Sequence, residues 1–323
     1  MRMKIQVILS FFCSSTSNAF VIPCDRRETS NLNASTNSDN NEIAQQLNLS
    51  TRRKIFQSVV LTPLLPSVSN AMYTDPVTRI VLPSEGEVES ALGGLDDNPF
   101  ENLDKASFSR LDQTADTVFY KDPRFTEHID DNAVELATRY ISNILHENDS
   151  VLDLCSSWTS HIDKSTAQKL NLKRVSGLGM NEEELKANPV LTDYSVVDLN
   201  VKPDVKLPYE DNSFDVVLCQ LSIDYLIHPL DVMKEVSRIL KPGGCVHILF
   251  SNRLFIQKAV GLWTGKDDLD HVYTVAAYLK FCNGNFASES IEARDLSTRK
   301  KKGKEKMIQG DPVYVVRAKK YVG

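Results

Sequence analysis

The chain has 323 residues, 41% of them apolar, with 37 Lys and Arg against 43 Asp and Glu, enough for one large domain or two small ones. No run of 18 apolar residues occurs, which argues against stable membrane insertion, and a pI near 5.6 argues against a general nucleic-acid binder, leaving small molecules or proteins as the expected partners. The six cysteines form no CxxC and no His/Cys metal spacing and are too sparse for a disulfide scaffold, so no metal is expected.

Residues 1–19 read as a secretory-type signal peptide, with Arg2 and Lys4 before a short apolar stretch and Ser17-Asn18-Ala19 as the cleavage site. Residues 20–50 are rich in Ser, Thr and Asn and hold too few apolar groups to offset the entropy of ordering, so a disordered transit peptide is expected. A signal followed by Ala19-Phe20 and such a tract resembles the two-part leader of proteins sent into plastids bounded by extra membranes. In residues 51–71, Arg52-Arg53 precedes a moderately apolar stretch and Ser69-Asn70-Ala71, which looks like a twin-arginine signal. That reading implies the thylakoid lumen; on the plainer one, the stretch ends the transit peptide.

Residues 72–115 carry scattered Pro, Gly and acids without a sustained period and are expected to form an extended linker with at most short helices. The folded domain is expected over 116–323. Its pattern predicts a helix over 130–146, a strand over 150–154, a helix over 161–170, a strand over 174–178, a helix opening at Asn181 and a strand over 194–198. A strand over 214–219, a helix over 229–240, a turn at Lys241-Pro242-Gly243-Gly244 and a strand over 245–250 follow. Strands apolar on both faces imply a parallel sheet covered by helices. Two further strands, 288–293 and 313–318, are expected as an antiparallel edge hairpin joined by a basic loop, Arg299 to Lys306, which reads as a solvated tip.

Ligands of an open α/β sheet sit beyond the carboxyl ends of its strands. Val151-Leu152-Asp153-Leu154, Val175-Ser176-Gly177-Leu178-Gly179, Asp198, Leu207-Pro208-Tyr209, Ser213-Phe214-Asp215 and Leu240-Lys241-Pro242-Gly243-Gly244 occur in that order. Together they resemble class I S-adenosylmethionine-dependent methyltransferases of the type-11 group over residues 150–250. Phe119-Tyr120, Pro123-Arg124-Phe125, His128-Ile129-Asp130-Asp131, Ser156 to His161 and Ser251-Asn252-Arg253 are similar to a cyanobacterial and plastid subgroup. The resemblance implies a Rossmann-like methyltransferase fold, with a mostly parallel seven-stranded sheet and a C-terminal antiparallel hairpin. It also implies S-adenosylmethionine as cofactor and a small-molecule or protein methyl acceptor.

Two departures bear on the site. The family's glycine-rich loop after the first strand is here Cys155-Ser156-Ser157-Trp158-Thr159-Ser160, without a glycine. Asp153 survives, Ser160 with Asp163 forms a candidate capping box, and the loop hydroxyls are candidates to replace lost backbone contacts. Trp158 either stacks beside the cofactor or fills its volume. At the end of the second strand, the family's ribose-binding acid is replaced by Gly179, Met180 and Asn181, with Asn181 offering one acceptor. The candidate cofactor residues are therefore Asp153, Ser156, Ser157, Trp158, Gly179, Asn181, Asp198, Leu199 and Gln220.

Methyl transfer requires alignment of the acceptor, and a base only where that acceptor loses a proton. No catalytic residue is fixed by the sequence; the candidates are His161, His128, Asp224 and Tyr225, each with an ordinary structural role as its alternative. Arg253 is a candidate fork-shaped donor toward an anionic acceptor. The competing function is a non-catalytic binding module that keeps the fold, favoured by the glycine-free loop and Gly179. A nicotinamide-dependent reductase would need GxGxxG after the first strand, which is absent.

Overall fold

The computed structural model describes residues 73–74, 81–93, 95–302 and 305–323. The expected signal peptide, transit peptide and twin-arginine segment, residues 1–71, lie outside them.

Seven strands form the central sheet: β1 Ser150–Leu154, β2 Arg174–Gly179, β3 Asp193–Val196, β4 Phe214–Gln220, β5 Leu240–Phe250, β6 Glu292–Asp295 and β7 Tyr314–Lys319. Their order is β3-β2-β1-β4-β5-β7-β6. The first five pair in parallel, whereas β7 inserts antiparallel between β5 and β6, with Val316 opposite both Ile248 and Ala293. This is the Rossmann-like methyltransferase fold with its C-terminal antiparallel hairpin.

Alternation along the strands divides the core between the two faces of the sheet. Val151, Val175, Val216 and Leu218 pack with Ala137, Tyr140 and Ile141 of helix α1, Asp131–Ile144. Leu152, Leu154, Val217, Val246 and Ile248 join Val232, Met233 and Val236 of another helix, Pro229–Ile239. Two short helices lie between these in sequence, so the set is α2 Lys164–Lys169, α3 Glu182–Ala187 and α4 Pro229–Ile239. Helix α5, Asp268–Phe281, completes the second face through Val275, Tyr278 and Leu279. The sequence reading did not find α5, because buried residues on most of its sides leave no polar stripe to give a helical period.

Three expectations change. The Lys241-Pro242-Gly243-Gly244 turn is absorbed into β5: Leu240 pairs with Phe214, the register shifts before Val216, and Gly243 takes a φ of 79°. A Cβ at Gly244 would lie 2.8 Å from the Asp215 carbonyl oxygen, so the segment closes as a bulge rather than leaving the sheet. The described part of the expected linker is docked, not free: it holds the short helices Glu87–Ser90 and Lys105–Phe108, and Val88 and Leu95 are buried in the main core. The basic loop is itself a hairpin, Arg299–Lys302 against Glu305–Ile308, with Arg299 bonded to Asp295 and Lys306 2.6 Å from Glu85.

Candidate functional site

The carboxyl ends of β1, β2, β3 and β4 open into one cleft with two adjoining parts, both bordered by His128, Cys155, Ser156, Ser157, Leu221 and Ser222. The larger part is apolar in the main, with Leu178, Val197, Leu199, Leu226 and Phe255, and it takes in Gly179, Asn181 and Asp198. The smaller part, called the polar part for the residue types that line it, takes in Asp153, Trp158, His161, Gln220 and Glu127. All nine candidate cofactor residues thus border the cleft.

The polar part is a closed chain of hydrogen bonds. Buried Asp153 accepts from Ser156 Oγ at 2.6 Å, from Ser160 Oγ at 2.7 Å and from Gln220 Nε2 at 3.1 Å. Burial still holds its carboxyl above the ordinary range. Gln220 Nε2 also donates to the Ser160 carbonyl at 2.8 Å, which leaves Gln220 Oε1 as the acceptor facing His161 Nδ1 at 2.9 Å. The opposite nitrogen, His161 Nε2, lies 3.1 Å from Glu127. Both ring nitrogens therefore face acceptor oxygens; burial alone would lower the His161 pKa, but the bonds to Glu127 and Gln220 prevail, raise it and favour the imidazolium.

The three serine hydroxyls of the loop are consumed within the protein: Ser156 and Ser160 on Asp153, and Ser157 on Glu184 at 2.6 Å. The expected capping box is not formed. Asp163, not Ser160, caps α2 by accepting from Thr166 N, so the helix starts at Lys164. Trp158 borders the polar part, half-buried, with its ring edge-on to Phe125 at 6.5 Å.

At the end of β2, Asn181 is buried and fully used. Its Oδ1 accepts from the amides of Glu183 and Glu184, capping α3, while Nδ2 donates to the Tyr120 and Lys121 carbonyls at 2.9 and 3.1 Å. No acceptor remains for a ribose, which corrects that expectation. Gly179 serves packing: a Cβ there would come 2.1 Å from the Ser156 carbonyl oxygen. Asp198 accepts from Asn200 N at 2.8 Å through Oδ1, leaving Oδ2 without a donor among the described residues.

Of the catalytic candidates, Tyr225 borders the apolar part and its hydroxyl accepts from Phe255 N at 2.8 Å. Burial, and then the neighbouring Asp224, push that phenol well above its ordinary range, so it is a neutral hydroxyl. His128 stands at the rim with its ring 5.0 Å from Phe255; partial enclosure and then the Arg124 charge lower its pKa, keeping it a neutral base at pH 7. Asp224 does not border the cleft. Its buried Oδ2 has no hydrogen-bond partner among the described residues, and burial raises the carboxyl to about 8. Arg253 is half-exposed and paired with Asp311 at 3.3 Å, away from the cleft.

The arginine that borders the cleft is instead Arg124, whose guanidinium lies 4.3 Å from the Phe119 ring centre and 5.4 Å from that of Phe255. The strap, residues 116–130, carries it and starts from a buried charge cluster: Asp116 meets Arg110 at 2.9 Å and Lys258 at 3.4 Å, and accepts from Asn200 at 2.8 Å. The sequence reading quoted Arg124 only as a motif residue and missed Glu127, Glu184 and Asn200. Their partners lie 27 to 84 residues away along the chain, and no local spacing signals them.

Residues 159–248 match a family described as Methyltransferase domain. Over 72 residues the chain is 35% identical to a malonyl-[acyl-carrier protein] O-methyltransferase of Marinomonas sp., covering 22% of this chain and 27% of that one. Over 106 residues it is 29% identical to a demethylmenaquinone methyltransferase of Staphylococcus epidermidis, covering 32% and 43%. The chain thus spans less than half the length of these relatives. Among solved structures, it is similar to an S-adenosylmethionine-dependent methyltransferase of Aquifex aeolicus at 18% identity and a TM-score of 0.39, covering 59% of this chain and 93% of that one.

Proposed function

We propose that the protein is an S-adenosylmethionine-dependent methyltransferase acting on a small-molecule or protein acceptor. The observation that carries this reading is the cleft itself: a larger part, with Leu178, Leu199 and Phe255 beside Asp198, and a smaller part, with the His161–Glu127 pair, meet at the carboxyl ends of adjoining strands. That division suits a ligand with a nucleoside at one end and an amino acid at the other. The family match over 159–248 implies the same cofactor. Asp198, with a free carboxylate oxygen, and Leu199 would hold the base; the polar part would hold the amino-acid end.

The cofactor, when bound, supplies a methyl group on a cationic sulfur. The chain's own contribution is alignment and exclusion of water by Phe255, Leu221 and Leu226, with Tyr225 as a neutral donor toward the acceptor. Where the acceptor must lose a proton, neutral His128 at the rim is the base; His161, with both nitrogens facing acceptor oxygens, is not. The internally satisfied serine hydroxyls of the loop and Asn181 favour a second reading, a module that binds the cofactor without transfer. The leader supports placement in the plastid, a proposal that a fluorescent fusion of residues 1–71 tests.

The deciding experiment uses the full chain with S-[methyl-³H]adenosylmethionine. Asp198→Ala is expected to weaken retention of the label by about tenfold or more, since a lost charge-assisted bond is worth about 1.5–3 kcal/mol. Equal retention by wild type and variant would remove Asp198 from the site. Retention without transfer to any acceptor fraction would favour the module.

A further inference from the structure

The polar part of the cleft contains an ion pair that its other groups do not need. Asp153 has three donors without it, and Ser156, Ser160 and Ser157 are each bonded elsewhere. His161 is held in place by Gln220 through Nδ1, and its side chain is only 7% exposed. Glu127, by contrast, is 33% exposed and sits in the irregular 121–130 segment. Its carboxylate occupies the position on Nε2 that an incoming anion would take. One partner is therefore fixed and charged while the other can leave for water.

We propose that Glu127 and His161 form an exchangeable carboxylate–imidazolium pair, in which the α-carboxylate of an amino-acid-bearing ligand takes the place of Glu127 on His161 Nε2. This rests on the methyltransferase reading only for the identity of the ligand. The chemistry recognised is a carboxylate at the end of the cleft remote from Asp198. The serine hydroxyls of the loop are committed to Asp153 and Glu184, so the His161 side chain is the charged donor this part of the cleft offers a carboxylate.

The charged groups facing His161 agree with this. Glu127, from the 121–130 segment, and Asp153, from β1, both favour the imidazolium; together with the Gln220 bond they outweigh burial and raise its pKa, while Glu127 is lowered chiefly by its bond to His161. His128 is the other ionisable ring beside Glu127. Carboxylate recognition should therefore weaken as pH rises through the elevated pKa of His161.

Calorimetry on the full chain tests this with two probes, S-adenosylhomocysteine and 5′-methylthioadenosine, the second lacking the amino-acid end. Glu127→Gln removes the internal competitor and is expected to tighten S-adenosylhomocysteine by about tenfold, the worth of one charge-assisted bond. His161→Gln is expected to weaken it by about tenfold and to abolish its loss of affinity at high pH. Binding of 5′-methylthioadenosine should change less than about twofold in either variant, which also reports that the cleft remains folded. Weaker S-adenosylhomocysteine binding by Glu127→Gln, or equal changes for both probes, would overturn the exchange while leaving the methyltransferase reading intact. Failure of wild type to bind either probe would overturn both.

Discussion

Gly179 lies directly beneath the carbonyl of Ser156, so close that a Cβ would stand 2.1 Å from that oxygen. The contact follows from a bond one residue earlier, in which Ser156 N donates to the Leu178 carbonyl at 2.7 Å and draws the loop after β1 across the end of β2. The end of β2 is thus closed to every side chain at this position.

Gly179→Ala should destabilise the fold by at least about 1–3 kcal/mol, because the obstacle is backbone and cannot rotate away. Gly179→Asp, with a larger side chain at the same point, should be worse. Denaturant unfolding of the two variants measures this; an aspartate variant of wild-type stability would contradict the close approach.

Asp116 is 4% exposed, between Arg110 and Lys258, themselves 6% and 0% exposed. Removing the carboxylate strands the buried Arg110, while Lys258 keeps Asp112 at 3.3 Å and the Thr114 carbonyl, so Asp116→Ala should cost about 3 kcal/mol. Burial alone would raise its pKa, but the bonds from Arg110 and Asn200 prevail and hold it below the ordinary range. A depressed carboxyl stabilises above its unfolded pKa and loses that contribution as pH falls through its folded one. The acid limb of the stability curve should therefore flatten below about pH 4 in the variant relative to wild type.

His247 is buried with Nδ1 2.8 Å from the Tyr140 hydroxyl, and burial, followed by the Arg317 charge, lowers its pKa to about 3. His271, stacked on Trp263 at 4.1 Å, is lowered by burial to about 4. Both stay neutral in the native chain while the unfolded chain takes up protons, so stability should decline as pH falls below about 6.5. His247→Gln should remove up to about 1.4 kcal/mol per pH unit from that slope between pH 4 and 6. The slope, not the absolute stability, is the readout, and an unchanged slope would mean the ring titrates normally.

Much of this architecture is legible in the sequence where the determinants are local. The runs at Val151 to Leu154 and Phe214 to Cys219 announce strands covered on both faces, and the acids Asp153 and Asp198 mark strand ends that border the cleft. The strap was legible only as a motif, since its role depends on bonds such as Arg124 N to Glu184, 60 residues away. Asn181 shows why residue type misleads. An amide at a strand end looks like a ligand acceptor, but α3 needs a cap and the strap needs donors, and those demands exhaust it. Asp224 follows a strand as a catalytic acid would, yet the turn Ile223–Tyr225 directs it inward and offers only Tyr225 to the cleft.

The most direct test of the central claim is titration of the full wild-type chain with S-adenosylhomocysteine in a calorimeter, followed by thermal unfolding at saturation. A single-site, micromolar-range isotherm is expected, with stabilisation of about 2.7 kcal/mol once free ligand reaches a hundred times its dissociation constant. No heat of binding and no rise in unfolding temperature at millimolar ligand would contradict it.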